Sequence, residues 1–293
     1  MDAVGTGPTY FDGRGCGSPW PRRGRSGGAG GFTLIELLVV VGILATLVAI
    51  VVPPLAMARQ IAEKGICKAN IRLLQQGNEV YRHHHNDFYA PAAPHMYPVP
   101  GSRDYSKVNM IRWFGSRESL TEPFGVTGGP LSPYLPSRVV KGCPGFRDYL
   151  VGFEAGCGGY GYNSNFVGQH IVPYGGIYLK IGPGWHLSGN HSSRFRYPHR
   201  TVAFTDTAFV HEGLMEYPFC ESPTWPLFGS EPRPSIHFRH LGRANVVWLD
   251  THVSEEEMTF SNDVQTGNPY IGSPADYRVG WFGPENNTLF DCD

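Results

Sequence analysis

The feature that most constrains this chain is a long uncharged run near its N-terminus. Residues 37–58 are 22 consecutive residues without Asp, Glu, Lys or Arg, and most of them are Leu, Val, Ile or Ala. As a helix rising about 1.5 Å per residue, the run is roughly 33 Å long, the thickness of a bilayer core. A secretory signal core is shorter, at about 7–15 residues, and a buried helix of this length normally has a polar face. We therefore predict one membrane-spanning helix.

The segment before this run has the composition of a leader. Residues 1–31 contain 10 Gly and 3 Pro, and they show neither helical nor strand periodicity. Their charged residues sum to +2, and the arginines at 22, 23 and 25 precede the apolar run, as in the basic region of a targeting segment. Basic residues also follow the run, so charge alone does not decide the orientation of the helix.

One acid interrupts the apolar pattern at its start. Residues 31–40 are GFTLIELLVV, and Glu36 is the only charged residue among them. An acid inside a membrane helix costs about 2.5–3.5 kcal/mol at the centre and less near the interface. It is retained either because the helix dipole favours it in the first turn or because it has a partner of opposite charge.

This segment resembles the cleavage and methylation segment of bacterial type IV prepilins and type II secretion pseudopilins. The resemblance implies that a prepilin peptidase cuts after Gly31 and that the new amine of Phe32 is methylated. It also implies that Glu36 pairs with the N-terminal amine of a neighbouring subunit during filament assembly. The family has a proline at mature position 22, which is the position of Pro53, and we expect a helix kink there.

The sequence beyond the apolar run continues in helical periodicity. Ile66, Ala69, Leu73, Gly77 and Val80 recur at steps of three and four, which predicts a one-sided buried stripe, and Leu74 and Tyr81 widen it. We expect one long N-terminal helix over residues 32–85, with its transmembrane half at 32–52. Its amphipathic half should lie against a globular head, as in prepilins.

The head, residues 86–293, has short strand signals and many turns. Residues 201–204 and 244–249 are predicted strands, and Asp250 and Thr251 are predicted to form a tight turn into a following strand. The expected fold class is α+β and pilin-like: a long N-terminal helix packed on a loop-rich head with a small antiparallel sheet.

The head has a second resemblance. His240 and Asp250 are separated by nine residues, which is similar to the H-X9-DG motif of large prepilin-like proteins that carry a C-terminal domain of unknown function. Cys67, Cys143-Pro144, residues 160–163 and residues 200–206 are similar to other landmarks of that family. The family has Gly where this chain has Thr251. An Asp-Gly type I′ turn needs two positive φ angles, which disfavour Thr, so either the turn type differs or the hairpin is strained.

Two interpretations of the head histidines are open. His237, His240, Asp250 and His252 have side chains that suit zinc and similar ions. Alternatively, His240 and Asp250 hydrogen-bond across the base of the hairpin and have a structural role. We favour the second interpretation and expect no metal. Calcium, which related pseudopilins bind, would use carboxylates, but no dense loop of oxygen ligands appears. The available acids are Asp206, Asp250, Glu255, Glu256 and Glu257.

No catalytic pattern stands out, and no cofactor is expected. The chain has neither a Gly-x-Ser-x-Gly motif nor a P-loop, and its net charge of −1 disfavours a nucleic-acid partner. Of six cysteines, Cys143 and Cys157 are disulfide candidates because they would close a short glycine-rich loop. Cys67 falls on the long helix and could equally be a small buried hydrophobe.

Together these patterns predict a structural pilin-like or pseudopilin subunit and not an enzyme. It would be a single-pass protein of the bacterial inner membrane with a periplasmic or extracellular head. Its partners would be a prepilin peptidase and N-methyltransferase, other pilin or pseudopilin subunits, the inner-membrane assembly platform and the bilayer. Two alternatives are open: a signal-anchored extracytoplasmic metal-binding protein or enzyme, and a surface- or glycan-binding head on a minor pilin. Whether the filament is a type II pseudopilus or a type IV pilus is also open.

Overall fold

Contacts within the chain group its residues into two units, and the boundary lies between Val52 and Pro53. A computed structural model describes residues 31–94, 96, 108–136, 140–147, 149–168, 171–174, 177–180, 189–224, 233–262 and 273–291. One unit is Met1–Val52 and the other is Pro53–Asp293. The predicted leader lies outside the described residues except for Gly31. The second unit includes the C-terminal half of the long helix, and the boundary expected at residue 86 stays a prediction.

The long helix, α1, is Leu34–His84, close to the predicted range of 32–85. Pro53 and Pro54 both lie inside it, and the helical assignment runs through them. The kink expected at Pro53 stays a prediction. The helix ends where Asn86 and Asp87 adopt positive φ angles of 51° and 63°, a left-handed conformation that Asn and Asp tolerate. The backbone N–H of Asp87 then donates to the Arg82 carbonyl at 3.0 Å.

The first unit contains the apolar half of α1. This is the one helix in the described part of the chain that is long and apolar enough to cross a membrane. Its most apolar 18-residue window has no buried residue. The coarse prediction of a spanning-length apolar helix is therefore confirmed, although the structure contains no membrane.

The second unit adds short strands to the C-terminal half of α1. The strands of the described residues pair antiparallel, within one four-stranded sheet and four two-stranded sheets. In chain order they are β1 (Ile111–Arg112), β2 (Gly115–Ser116), β3 (Tyr160–Tyr162), β4 (Ile171–Tyr174), β5 (Ile177–Lys180), β6 (Val202–Asp206), β7 (Phe209–Val210), β8 (Leu214–Met215), β9 (Ile236–His237), β10 (Arg243–Trp248), β11 (Val253–Glu257) and β12 (Val279–Gly280). Short 3-10 helices are Ser132–Tyr134, Ser192–Arg194, Pro198–Arg200 and Pro274–Tyr277.

The four-stranded sheet has the order β11-β10-β6-β3. Its inner strands, β6 and β10, are the two strands predicted at 201–204 and 244–249. The predicted hairpin also forms, since β11 pairs antiparallel with β10. The expectation of an α+β protein with a small antiparallel sheet is confirmed at this coarse level.

Side chains on the two faces of this sheet belong to different cores. On the helix side, Ile71 and Leu74 share a buried cluster with Tyr162, Phe204 and Val247. The rings of Tyr162 and Phe204 stack with centroids 4.4 Å apart. The other face carries a second cluster, formed with β9 and the C-terminal segment. Its members include Ile236, Ala244, Val246, Trp248, Trp281, Phe282 and Phe290. Alternation along β10 sends successive residues to opposite cores.

The buried face of α1 differs from the predicted stripe. Ile66, Ala69 and Val80 are exposed. The buried positions are instead Cys67, Asn70, Ile71, Leu74, Gln75, Gly77, Asn78 and Tyr81. Three of these are amides, which a search for apolar periodicity does not count. The prediction is confirmed at Leu74, Gly77 and Tyr81. It is wrong at the exposed Ile66, Ala69 and Val80.

These amides are buried because each has a partner on the sheet side. The side-chain N–H groups of Asn70 and Asn78 donate to the hydroxyls of Tyr160 and Tyr162, at 3.3 and 3.1 Å. The Gln75 amide donates to the Leu249 carbonyl at 3.0 Å. Buried polar groups are tolerated when they are hydrogen-bonded, so these contacts join helix and sheet at defined positions.

Candidate functional site

The segment proposed for processing stands immediately before α1. Gly31, Phe32 and Thr33 are exposed and outside the helix. A Cβ atom added to Gly31 would meet nothing within 4 Å. The Gly31–Phe32 bond is therefore accessible, and the local fold does not require glycine at position 31.

Thr33 and Glu36 cap the start of the helix reciprocally. The Glu36 carboxylate accepts hydrogen bonds from the Thr33 backbone N–H at 2.9 Å and the Thr33 hydroxyl at 2.8 Å. The Glu36 N–H donates in turn to Thr33 Oγ1 at 3.2 Å. This is a capping box, which the Thr-x-x-Glu spacing indicates but the sequence interpretation overlooked. Pairing of Glu36 with a neighbour's amine stays a prediction.

A buried polar cluster lies between α1 and the sheet. It contains Cys67 from α1, Cys143 from a loop, Asp206 from the end of β6 and His240 from the loop before β10. All four are buried, and one sulfur, nitrogen or carboxylate oxygen from each lies within 4.8 Å of the others.

Three short contacts define the geometry of this cluster. Cys67 Sγ donates to Asp206 Oδ1 at 3.0 Å. Cys143 Sγ is 3.3 Å from His240 Nε2, and the same nitrogen is 3.4 Å from Asp206 Oδ2. His240 thus lies between a sulfur and a carboxylate.

Arg239 places a positive charge beside the cluster. Its Nη2 donates to Asp206 Oδ1 at 2.8 Å, and its Nε donates to Cys143 Sγ at 3.4 Å. The Asn245 backbone N–H donates to the other Asp206 oxygen at 2.8 Å. Asp206 is fully buried, and these partners stabilise its ionised form.

The same contacts separate the protonation states of the two thiols. Burial alone raises the pKa of Asp206, but Arg239, His240 and the Asn245 amide outweigh it and hold that pKa below its usual value. The neighbouring Cys67 thiol, the charge of Arg239 and the contact with His240 lower the pKa of Cys143 to about 4 against the effect of burial. Burial raises the pKa of Cys67 well above that of a free thiol. Cys67 is therefore a thiol, and Cys143 has thiolate character.

His240 is the cationic partner of this thiolate. Burial lowers the pKa of His240, but its hydrogen bonds to Asp206 and Cys143 raise it to about 9. His237, by contrast, is buried beside Arg239, and burial followed by that charge lowers its pKa to about 3. The two histidines are only three residues apart, yet their environments favour opposite charge states.

The hydrogen bond predicted between His240 and Asp250 is not present. His240 lies before β10 and Asp250 lies after it, so the six residues of this extended strand keep the two side chains apart. Asp250 Oδ1 is instead 2.5 Å from His252 Nδ1, and both side chains are partly exposed at the hairpin tip. The predicted metal set of His237, His240, Asp250 and His252 is therefore not brought together.

Thr251 occupies the position where the similar family has glycine. It has a φ of 74°, and its N–H donates to the Trp248 carbonyl at 2.9 Å. Asp250 has no positive φ, so this is not the two-residue type I′ turn of an Asp-Gly hairpin. A left-handed conformation is unfavourable for a β-branched residue, which places local strain at Thr251.

The predicted disulfide between Cys143 and Cys157 is absent, since both are free buried cysteines. Their segments are adjacent, because the Cys143 N–H donates to the Gly158 carbonyl at 2.9 Å. The thiol of Cys143, however, faces His240 and not Cys157. Cys67, considered as a possible small hydrophobe, is buried within the apolar cluster on the helix side and also donates to Asp206.

The acids considered for calcium do not converge. Glu255 accepts ion pairs from Lys64 at 3.0 Å and from Lys68. Glu257 pairs with Arg243, and Glu256 accepts from the Ser254 hydroxyl at 2.6 Å. Together with Asp206 in the buried cluster and Asp250 at the hairpin tip, these acids are dispersed among different partners.

A pocket of about 370 Å³ opens beside the cluster. Arg239 and His240 line it together with residues of α1 and of the loop after Cys143. Glu63 lies in its wall and pairs with Arg59 at 2.9 Å and with Arg147. The pocket connects the His240 side of the cluster with solvent.

The sequence interpretation missed Arg239 and the grouping of Cys67, Cys143 and Asp206 with His240 in one buried cluster. One sequence signal could have placed Cys67 on the buried face of the helix: it lies three residues before Asn70 and four before Ile71, and both of these are buried. Nothing in the sequence indicated that Arg239 is buried. The chain matches no family model, no curated protein and no solved structure.

Proposed function

We propose that this chain is a type IV pilin-like or pseudopilin-like structural subunit without catalysis of its own. One observation carries the proposal: an exposed Gly31–Phe32 bond directly precedes a capped apolar helix that has Glu36 in its first turn. In this proposal, a prepilin peptidase cleaves that bond and methylates the amine of Phe32.

The local structure supports cleavage at this position. A peptidase needs an accessible backbone, and residues 31–33 are exposed and precede the first helical residue. Phe32 has an exposed fraction of 76%. Cleavage after Gly31 would leave Thr33 and Glu36 in the product, so the capping box would survive processing.

The exposed apolar surface of α1 supports assembly. Its first half has no buried residue in the described structure, and Ile61, Ile66 and Val80 continue the exposed apolar surface into the second half. Such surface is stable only when lipid or other apolar side chains cover it. The bilayer would cover the first half in the precursor, and neighbouring subunits would cover it in a filament.

Glu36 would then set the order of assembly. A carboxylate in the apolar interior of a filament needs a partner of opposite charge, and the amine of Phe32 on a neighbouring subunit is such a group. The proposed setting is the bacterial inner membrane with the head outside the cytoplasm. The proposed partners are the peptidase, the assembly platform and other pilin or pseudopilin subunits.

The direct test is co-expression of the full chain with a prepilin peptidase, followed by intact mass and N-terminal peptide analysis. The expected product begins at Phe32 and carries one methyl group. Gly31→Val should block cleavage, whereas Gly42→Ala should not, and a Cβ atom added at either position meets nothing within 4 Å. An uncut wild-type chain, beside a control prepilin that is cut, would disprove the proposed function.

A further inference from the structure

We propose that Cys67, Cys143, Asp206 and His240 form a structural zinc site that fastens α1 to the central sheet. This inference does not depend on the proposed filament function, because all four residues lie in the unit formed by Pro53–Asp293. The site differs from the metal site considered from sequence and shares only His240 with it.

The donor set fits zinc. Thiolate sulfur, imidazole nitrogen and carboxylate oxygen are the three ligand types that Zn²⁺ prefers, usually four at once and in tetrahedral geometry. Donor atoms at about 2.0–2.3 Å from such an ion lie roughly 3.3–3.8 Å from one another. The three short contacts are 3.0, 3.3 and 3.4 Å, and all four donor atoms lie within 4.8 Å of one another. No pair of donors therefore has to approach by more than about 1 Å.

The charges of the site also balance. Two thiolates and one carboxylate carry −3, whereas Zn²⁺ and the guanidinium of Arg239 together carry +3. Arg239 is itself buried and bonded to Asp206 and Cys143, so it belongs to the site as a positioning residue. A buried charge cluster with zero net charge avoids most of the desolvation penalty of isolated ions.

Groups around the donors orient them before a metal binds. Asp206 is held on both oxygens, by Arg239 and by the Asn245 backbone N–H. Such outer contacts fix the orientation of ligands and typically change metal affinity 10- to 100-fold. Zinc binding would release two protons, one from the Cys67 thiol that now donates to Asp206 and one from Nε2 of His240. The pocket beside His240 offers an entry path.

Four protein donors leave no open coordination position. Catalytic zinc sites keep one position for water or substrate, whereas structural sites are closed. The proposed zinc would therefore join α1, the Cys143 loop, β6 and the loop before β10 without supplying chemistry.

The test uses the full chain in detergent, purified under reductant without chelator. Elemental analysis should find about one zinc per chain. After chelation, added Co²⁺ should produce thiolate-to-cobalt charge transfer and the visible bands of tetrahedral cobalt. The thiolate band excludes adventitious binding at His83, His84 and His85, which have no sulfur.

Variants should locate the metal. Cys143→Ser and His240→Gln should each lower zinc affinity at least about tenfold. Cys220→Ser is the matched control, because Cys220 is also free and buried but lies outside the cluster, and it should retain the metal. If a ligand variant fails to fold, the cobalt spectrum of the wild-type chain decides.

Three results would overturn the proposal. One is a reduced, folded wild-type chain that binds neither zinc nor cobalt through sulfur. Another is equal metal content and affinity in wild type and Cys143→Ser. The third is a disulfide between Cys67 and Cys143 in chain produced under zinc-replete conditions, which would show that the two thiols oxidise instead of holding a metal.

Discussion

The side chains of the two halves of α1 have opposite surroundings. Before Val52 the helix has an apolar surface that no described part of the chain covers. Beyond Pro53 it buries amides, a cysteine and a few apolar residues against a sheet that has a partner for each polar group. The first half needs an external apolar environment, and the second half is complete within one chain. In the proposed filament, this single helix would serve both assembly and folding.

The largest effect is expected from replacing Glu36, the one acid in the apolar first half of α1. Glu36→Gln should lower the amount of assembled filament at least about tenfold, since an apolar interface would lose one partner of a buried ion pair. Glutamine can still complete the capping box with Thr33, so the helix start should be preserved. The measurement is the sheared filament fraction from cells that carry the assembly machinery, with cleavage verified by mass.

Glu257→Gln is the control for that comparison. Glu257 is also exposed, but it pairs with Arg243 within the head. Its loss should leave filament yield unchanged. Normal assembly by the Glu36→Gln variant would show that the first half of α1 needs no charge pairing in the filament.

The next largest effect is expected when a leucine is replaced by alanine in one half of α1 or in the other. Leu74→Ala removes a buried side chain at the helix–sheet contact and should destabilise the head by about 2–5 kcal/mol. Leu47→Ala removes an exposed side chain and should change the stability of the head by less than about 0.5 kcal/mol. Denaturant unfolding of the full chain in detergent, followed by tryptophan fluorescence, measures both. Equal losses would mean that the two halves are not energetically distinct.

The smallest effect is expected at the hairpin tip, away from both halves of the helix. Thr251→Gly should stabilise the head by about 1 kcal/mol, because glycine adopts a φ of 74° without the penalty that a β-branched residue has there. Thr251→Ala is the comparison, since alanine also has a Cβ atom and should gain less. The melting temperature of each variant reports the difference, and destabilisation by glycine would contradict the assigned turn.

The parts of the fold that sequence predicted correctly depend on local pattern. The apolar run specifies a long helix, and β6 and β10 were recognised because β-branched and aromatic residues fill them. The failures depend on contacts between distant segments. His240 was assigned to Asp250 from spacing alone, although its partners are Cys143 and Asp206. The cysteine pairing was likewise chosen from loop length, which does not show where a thiol points.

The sequence by itself determined that an exposed apolar helix follows a Gly-Phe-Thr-Leu-Ile-Glu segment, because helix length, hydropathy and capping are properties of neighbouring residues. Only the tertiary structure decided which face of that helix is buried and which residues surround His240. Those outcomes arise because a buried amide, thiol or guanidinium is stable only beside a partner. The partners lie far away along the chain, 139 positions for Cys67 and Asp206 and 174 for Gln75 and Leu249.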